Sequence, residues 1–289
     1  MKVIIPVAGW GTRFLPATKA QPKEMLSVVD KPVIQWIVEQ ITAAGFEDII
    51  FVTGRNKRSL EDHFDNHSEL ENVLEKNGKL DQLSEIKKIS NLARFTFVRQ
   101  SEALGNGDAV KRALYLVNHD PVAVSWGDEI LISNPPIFKT LQNLFEKFGL
   151  PVLAIKKAPK SQLSKYGVVK IKKTRHPNLY RVTGIIEKPD IEKAPSSFIS
   201  IGSFILTAEV YKYLDKLYPP PKNKEIYLTE AINLYLQNGG KALGFEFKGR
   251  RYDCGSKFGL LQAQVELGLE HPEIKHKFRN YLRSIAQKI

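Results

Sequence analysis

The sequence predicts an α/β fold on a mixed, mainly parallel central sheet, with a helical insertion and a helical C-terminal extension. Three observations carry this reading. The apolar run Val3-Ile4-Ile5-Pro6-Val7 reads as a buried strand and breaks abruptly into Gly9-Trp10-Gly11-Thr12-Arg13. A helical stripe and a second apolar strand follow within about fifty residues, the pattern of a βαβ unit. Beyond residue 150 the rhythm changes to short strands without helices between them, as in antiparallel additions to a sheet.

Taken in order, Pro32 opens and Gly45 closes a stripe of Val33, Ile34, Ile37, Val38 and Ile41, the usual asymmetry of helix ends. Residues 48–54 form the second strand, and a strand returning through a helix pairs in parallel. Residues 57–92 are polar and helix-prone, with Leu60, Phe64, Leu70, Leu74, Leu83 and Ile86 at loose helical spacing. They predict two or three short helices broken near Asn77-Gly78. A strand at 95–98 leads through Gly105-Asn106-Gly107 into a helix reaching Val117. The strand at 121–125 stops at Trp126-Gly127-Asp128-Glu129, and a helix over 136–148 precedes a strand at 152–155. Short strands are expected at 168–171, 180–186 and 200–205. Helices at 208–217 and 227–238, a strand at 242–247 and helices from Lys257 to the end complete the chain.

Hydrophobic content of 43% and charged content of 26% in 289 residues are ordinary for a globular protein. No apolar run approaches the roughly 20 residues needed to cross a bilayer, and the N-terminus carries no signal-peptide pattern. One cysteine, Cys254, leaves no intrachain disulfide, so the expected compartment is the cytoplasm. A formal charge of +12 and a pI near 9.5 suit either an enzyme for anionic substrates or a nucleic-acid binder. The densest basic stretch, Lys275, Lys277, Arg279, Arg283 and Lys288, reads as a solvated helix face or a surface for anionic partners.

Four stretches carry candidate chemistry. In the loop from Ala8 to Lys23, glycines let backbone N–H groups approach phosphate oxygens while Arg13, Lys19 and Lys23 neutralise them. It is neither a P-loop nor a dinucleotide fingerprint, and the alternative is an ordinary tight turn. Asp128, directly after a buried strand, stands where open α/β sheets place their ligands. It suits magnesium, with Glu129 as a lesser helper, or else simply opens a turn. Glu187-Lys188-Pro189 ends a strand in an acid and a base, fit for sugar hydroxyls and a phosphate or for a surface salt bridge. Asp253, before Cys254-Gly255-Ser256, is a second metal ligand or a helix cap. Cys254 reads as structural, and no histidine pair has metal-ligand spacing.

The run Gly9-Trp10-Gly11-Thr12-Arg13-Phe14-Leu15-Pro16-Ala17-Thr18-Lys19-Ala20-Gln21-Pro22-Lys23-Glu24-Met25-Leu26 closely resembles the signature of bacterial UTP–glucose-1-phosphate uridylyltransferases. The likeness continues through Val29-Asp30-Lys31-Pro32, Arg99-Gln100, Tyr166-Gly167-Val168-Val169, Glu187-Lys188-Pro189, Glu225-Ile226-Tyr227-Leu228-Thr229-Glu230 and Asp253-Cys254-Gly255. It covers nearly the whole chain.

The resemblance implies a Rossmann-like nucleotidyltransferase fold as a single domain over 1–289. Residues 1–150 would be its nucleotide-binding half, 151–255 its sugar-phosphate-binding half, and 256–289 C-terminal helices suited to oligomerisation. It implies that UTP and glucose 1-phosphate give UDP-glucose and pyrophosphate with Mg2+, in a homo-oligomer, with neither membrane nor nucleic acid as partner. Ala8, Gly9 and Gly11 would approach the nucleotide through backbone, and Arg13 and Lys23 would hold the triphosphate. Gln100 and Gly105 would read the uracil edge, with Glu24 near the nucleotide. Gly167 and Glu187 would bind the sugar and Lys188 its phosphate; Asp128 and Asp253 would serve the metal. Two departures stand beside the nucleotide: Asp108 where the family commonly has histidine, and Trp126-Gly127-Asp128 where better-known members carry Leu-Pro-Asp. The alternative within the same chemistry is dTTP or another sugar 1-phosphate. Outside it stand a non-catalytic nucleotide-sugar sensor and a nucleic-acid-binding protein.

Overall fold

The protein is described by a computed structural model over residues 1–218 and 225–288; Ile289, the last residue of the expected C-terminal helices, lies outside the described residues. The first half supplies β1 (Lys2–Pro6), a small hairpin of β2 (Ser27–Val28) and β3 (Lys31–Pro32), α1 (Val33–Ala43) and β4 (Asp48–Thr53). Three helices of the insertion, α2 (Arg58–Phe64), α3 (Ser68–Lys76) and α4 (Leu80–Ser90), precede β5 (Arg94–Arg99), α5 (Asn106–Ala113), β6 (Val122–Ser125), β7 (Glu129–Ile132) and α6 (Ile137–Phe148). The second half contains β8 (Val152–Lys157), β9 (Gly167–Lys173), β10 (Leu179–Glu187), β11 (Phe198–Leu206), α7 (Ala208–Asp215) and α8 (Leu228–Gln237). It closes with β12 (Ala242–Glu246), β13 (Arg250–Asp253), α9 (Lys257–Gly268) and α10 (Lys275–Ala286).

Among the described residues, nine strands form one sheet in the order β5-β4-β1-β6-β11-β8-β12-β10-β9. The pairings make all strands run one way except β10 and β11, so the sheet is mixed, its first four strands parallel and its second half joined largely by antiparallel pairs. β9 also pairs back onto β11 through Val168 and Ile199, which curls the second half round on itself. That closure returns the Gly167 end of β9 and the Glu187 end of β10 toward the middle of the sheet.

Two apolar layers sandwich the sheet. The α1 stripe (Val33, Ile34, Ile37, Val38 and Ile41) is fully buried on one face, each side chain contributing about 1.5–3 kcal/mol relative to exposure. The face of β11 that carries Ile199, Ile201 and Ile205 meets the same layer, while Phe198 and Phe204 point to the other. α3 buries nothing, which explains why the pattern of the insertion was only loosely helical. No helix among the described residues is long and apolar enough to cross a membrane.

The sequence reading missed one element with consequences. The sequence pattern assigns no element to Glu129–Ile132, yet these residues pair antiparallel with Arg250–Asp253 as a separate ribbon. Strands this short carry too few alternating positions to show a period.

Candidate active site

β1, an interior strand, ends at Pro6 and delivers the loop to the carboxyl end of the parallel strands, where three short 3-10 turns shape it. Phe14 and Thr18 anchor it inward, and Thr18 Oγ1 donates to the Gly11 carbonyl at 2.8 Å. The outer face is left to line a cavity of about 1070 Å³. Arg13 and Lys23 both line it, and Arg13 Nη1 donates to the Gly255 carbonyl at 2.9 Å. Lys19, grouped with them on sequence, is exposed and outside the cavity wall. Trp10 stands at the cavity, 68% exposed.

Two carboxylates converge here because the β7–β13 ribbon pairs Asp253 with Glu129, the neighbour of Asp128. A Cβ added at Gly255 would lie 2.6 Å from Asp128 Oδ2 and 3.0 Å from Asp253 Oδ1, so the two acids flank one small space that glycine leaves open. Asp253 also accepts the Tyr166 hydroxyl at 2.5 Å and the Gly255 N–H at 3.0 Å. Burial alone would raise the Asp128 pKa, but the Lys23 ammonium 2.5 Å away holds it below the usual carboxylate range. Burial likewise works against the charge on Lys23, and Asp128 outweighs it, raising the lysine. No cluster of three or more His, Cys, Asp or Glu suited to a metal occurs among the described residues. Two oxygen-donor acids beside an anion-receptive loop fit a hard divalent cation that takes its other ligands from phosphate and water.

Glu129, considered on sequence as a helper for that cation, is already engaged. It is buried, accepts Arg251 Nη2 at 2.6 Å and Nε at 3.2 Å, and accepts the Gly202 N–H at 3.1 Å. The pair braces the ribbon. Cys254 is buried, and burial pushes its thiol pKa up, in keeping with a structural residue.

Beneath the loop, Glu24 (1% exposed) meets Lys57 (5% exposed) at 2.7 Å. Burial pushes the glutamate up and the lysine down despite their mutual attraction. Lys57 was not singled out from the sequence; an isolated lysine at a helix start carries no local signal of its partner.

At one end of the cavity, Gln100 follows β5 and Gly105 precedes α5. Gly105 has φ 100°, and a Cβ there would meet the Ile226 carbonyl at 2.5 Å, so only glycine fits both backbone and neighbour. Asp108, wholly buried, accepts Gln100 Nε2 at 2.6 Å.

At the other end, Gly167 and Glu187 are cross-strand partners. Glu187 accepts the Thr229 hydroxyl at 2.8 Å, and burial raises its pKa. Lys188, in the left-handed region at φ 43°, holds its ammonium 4.6 Å over the Tyr227 ring and 3.7 Å from Glu187. Ser200 faces the same space from β11, its buried hydroxyl without a partner among the described residues. Tyr166, Thr229 and Tyr227 carry no sequence signal beyond lying in resembling stretches; their placement depends on strand closure, which no local pattern reports.

Every residue assigned a site role by resemblance, from Ala8 to Asp253, thus lines the same cavity. An α/β sheet with a glycine-rich, cationic loop at the cavity wall and paired acids beside it defines a class of nucleotide-handling proteins. The sequence model described as nucleotidyl transferase matches residues 2–268, and the chain belongs to that family. It is 41% identical over 284 residues to the UTP–glucose-1-phosphate uridylyltransferase of Staphylococcus epidermidis, covering 98% of each chain. Among solved structures it resembles a UTP-bound UGPase from Acinetobacter baumannii (TM-score 0.88, 35% identity, 97% of this chain and 98% of that one). It also resembles a UDP-glucose pyrophosphorylase complexed with UDP-glucose (TM-score 0.83, 38% identity, 93% of this chain and 99% of that one).

Proposed function

We propose that this chain is a UTP–glucose-1-phosphate uridylyltransferase that uses Mg2+. The observation that carries the reading is the cavity itself, which joins the Ala8–Lys23 loop, Gln100 and Gly105 to Gly167, Glu187 and Lys188. Relatives and solved neighbours bearing that activity or those ligands in their names support it. dTTP and other sugar 1-phosphates are the competing substrates.

The reaction brings two anions together, so alignment and charge neutralisation do the work and no nucleophilic side chain is required. A phosphate oxygen of glucose 1-phosphate attacks the α-phosphorus of UTP in line, the bond to the β-phosphate oxygen breaks, and pyrophosphate leaves. Ala8, Gly9 and Gly11 give the nucleotide close backbone approach. Arg13 and Lys23 draw the triphosphate along the loop and offset the charge developing on pyrophosphate. Gln100 and Gly105 hold the base, with Glu24 and Lys57 supporting the loop from below. Glu187 accepts sugar hydroxyls beside Gly167, and Lys188 steers the attacking phosphate. Asp128 and Asp253 would hold Mg2+, which when bound supplies positive charge to the reacting phosphates.

Residues 1–150 then serve the nucleotide and 151–255 the sugar phosphate. The exposed Phe258, Leu261 and Val265 of α9 suit contact with a second copy, which light scattering would detect. A lone, buried cysteine fits a reducing compartment, and the cytoplasm is the proposed location. Pyrophosphate release from a panel of nucleotides crossed with sugar phosphates tests the assignment. UTP with glucose 1-phosphate must be the best pair, and any better pair overturns it.

A further inference from the structure

We infer that Asp108 fixes the direction of the Gln100 amide and so makes the cavity selective for a base whose ring nitrogen carries a proton. The inference rests on the proposed function in one respect, that a nucleotide base is what meets Gln100.

Gln100 is almost fully buried yet lines the cavity. Its Nε2 lies 3.0 Å from the Gly105 carbonyl oxygen and 2.6 Å from Asp108 Oδ2. The carboxylate of Asp108 also takes hydrogen bonds from Arg112 Nε at 3.2 Å and from the Tyr218 hydroxyl. A carbonyl and a carboxylate surrounded by donors are both acceptors, so only the nitrogen end of the amide can face them. Turned over, Oε1 would press lone pairs against lone pairs at two points.

Both amide protons are therefore spent inside the protein, and what the side chain has left for a ligand is an acceptor. An amide free to rotate would serve a ring N–H and a ring lone pair alike. One held by Asp108 serves only the N–H. Uracil and thymine present such a proton at N3; cytosine presents a lone pair there. The selectivity belongs less to Gln100 than to the buried acid behind it, which touches no substrate and acts as a positioning residue. Arg112 and Tyr218 in turn hold the acid in place.

Equilibrium binding of UTP and CTP to the full-length protein tests this, with Asp108→Asn and Gln100→Met compared with the wild type. The wild type is expected to favour UTP over CTP by about a hundredfold. Asp108→Asn, which can meet either end of the amide and leaves only the Gly105 carbonyl to oppose the turned one, is expected to narrow that ratio about fivefold, mainly by tightening CTP. Gln100→Met removes the acceptor and is expected to narrow it as much by weakening UTP. A purely structural role would weaken both nucleotides together and leave the ratio alone. An unchanged ratio in folded Asp108→Asn overturns the inference. So does an unchanged ratio in Gln100→Met, which leaves the Asp108 carboxylate its Arg112 and Tyr218 donors and reports even if the first variant does not fold. A wild type that binds UTP no better than CTP overturns it as well. Failure to bind either nucleotide overturns the proposed function and this inference together, whereas good UTP binding with an unmoved ratio sinks this inference alone.

Discussion

The ammonium of Lys23 lies 2.5 Å from Asp128 Oδ2, closing an ion pair between residues 105 positions apart in the chain. The contact ties the loop after β1 to the turn after β6 and gives each charge a partner before any substrate arrives. Asp128→Ala is expected to lower kcat by about a hundredfold or more, because the acid facing the reacting phosphates is gone. Circular dichroism should show the fold intact, since Asp128 is half-buried at a cavity wall and not in an apolar layer. Near-normal turnover would remove Asp128 from the metal site.

Gly255 separates the two acids of the site. In Gly255→Ala the new methyl would sit 2.6 Å from Asp128 Oδ2, so one carboxylate must move. Overpacking of this kind costs about 1–3 kcal/mol in stability. The larger expected effect is on catalysis: a rate at least about tenfold lower and a requirement for more divalent metal. Steady-state rates across a metal titration, beside thermal unfolding, distinguish this from general destabilisation. An unshifted metal dependence would argue that Asp128 and Asp253 do not share an ion.

The pair of Glu24 and Lys57 has nowhere to go if one partner is removed. Lys57→Met leaves a buried carboxylate uncompensated and should cost about 3–5 kcal/mol in urea unfolding. Adding Glu24→Met should recover much of that loss. Equal destabilisation in single and double variants would show that the stranded charge is not the cause.

Glu187 offers a pH test. Burial raises its folded pKa above 4.5, so the folded state holds its proton more firmly than the unfolded chain does. Ionised Glu187 therefore costs stability above the folded value, and the cost disappears as pH falls through that value toward 4.5. Function runs the opposite way. Once protonated, Glu187 loses acceptor capacity for a sugar hydroxyl, so KM for glucose 1-phosphate should rise as pH drops through the raised pKa. Glu187→Gln should show a KM about tenfold higher at neutral pH and no such rise from this group. The substrate phosphate titrates identically in both proteins and cancels in the ratio. A constant ratio across pH would exclude Glu187 from sugar binding.

Much of this architecture was legible from local chemistry. Val3–Val7 had to be a buried strand because five successive apolar residues cannot be left in water, and the glycines and cations after it had to face something anionic. The α1 stripe and the alternation of strands and helices then fixed a mixed sheet, parallel in its first half. The resemblance to uridylyltransferases supplied the family and the division of roles among residues, several of which charge and position already single out. Less legible were contacts that depend on distant partners. Glu129 reads from the sequence as a lesser helper to Asp128, but its carboxylate is taken by Arg251. Lys19 looked equal to Arg13 and Lys23, but the turns of the loop leave it outside.

The sequence by itself determined which residue types were available: hard-oxygen acids, fixed cations, and glycines that let backbone approach a ligand. Only the tertiary structure decided which of them meet. Asp253 reaches Asp128 through a four-residue ribbon, Glu187 reaches the cavity because β9 closes onto β11, and the Gln100 amide takes its direction from Asp108. Each depends on strand closure or side-chain contact between separate segments, and such pairings leave no periodic trace in the residues that make them.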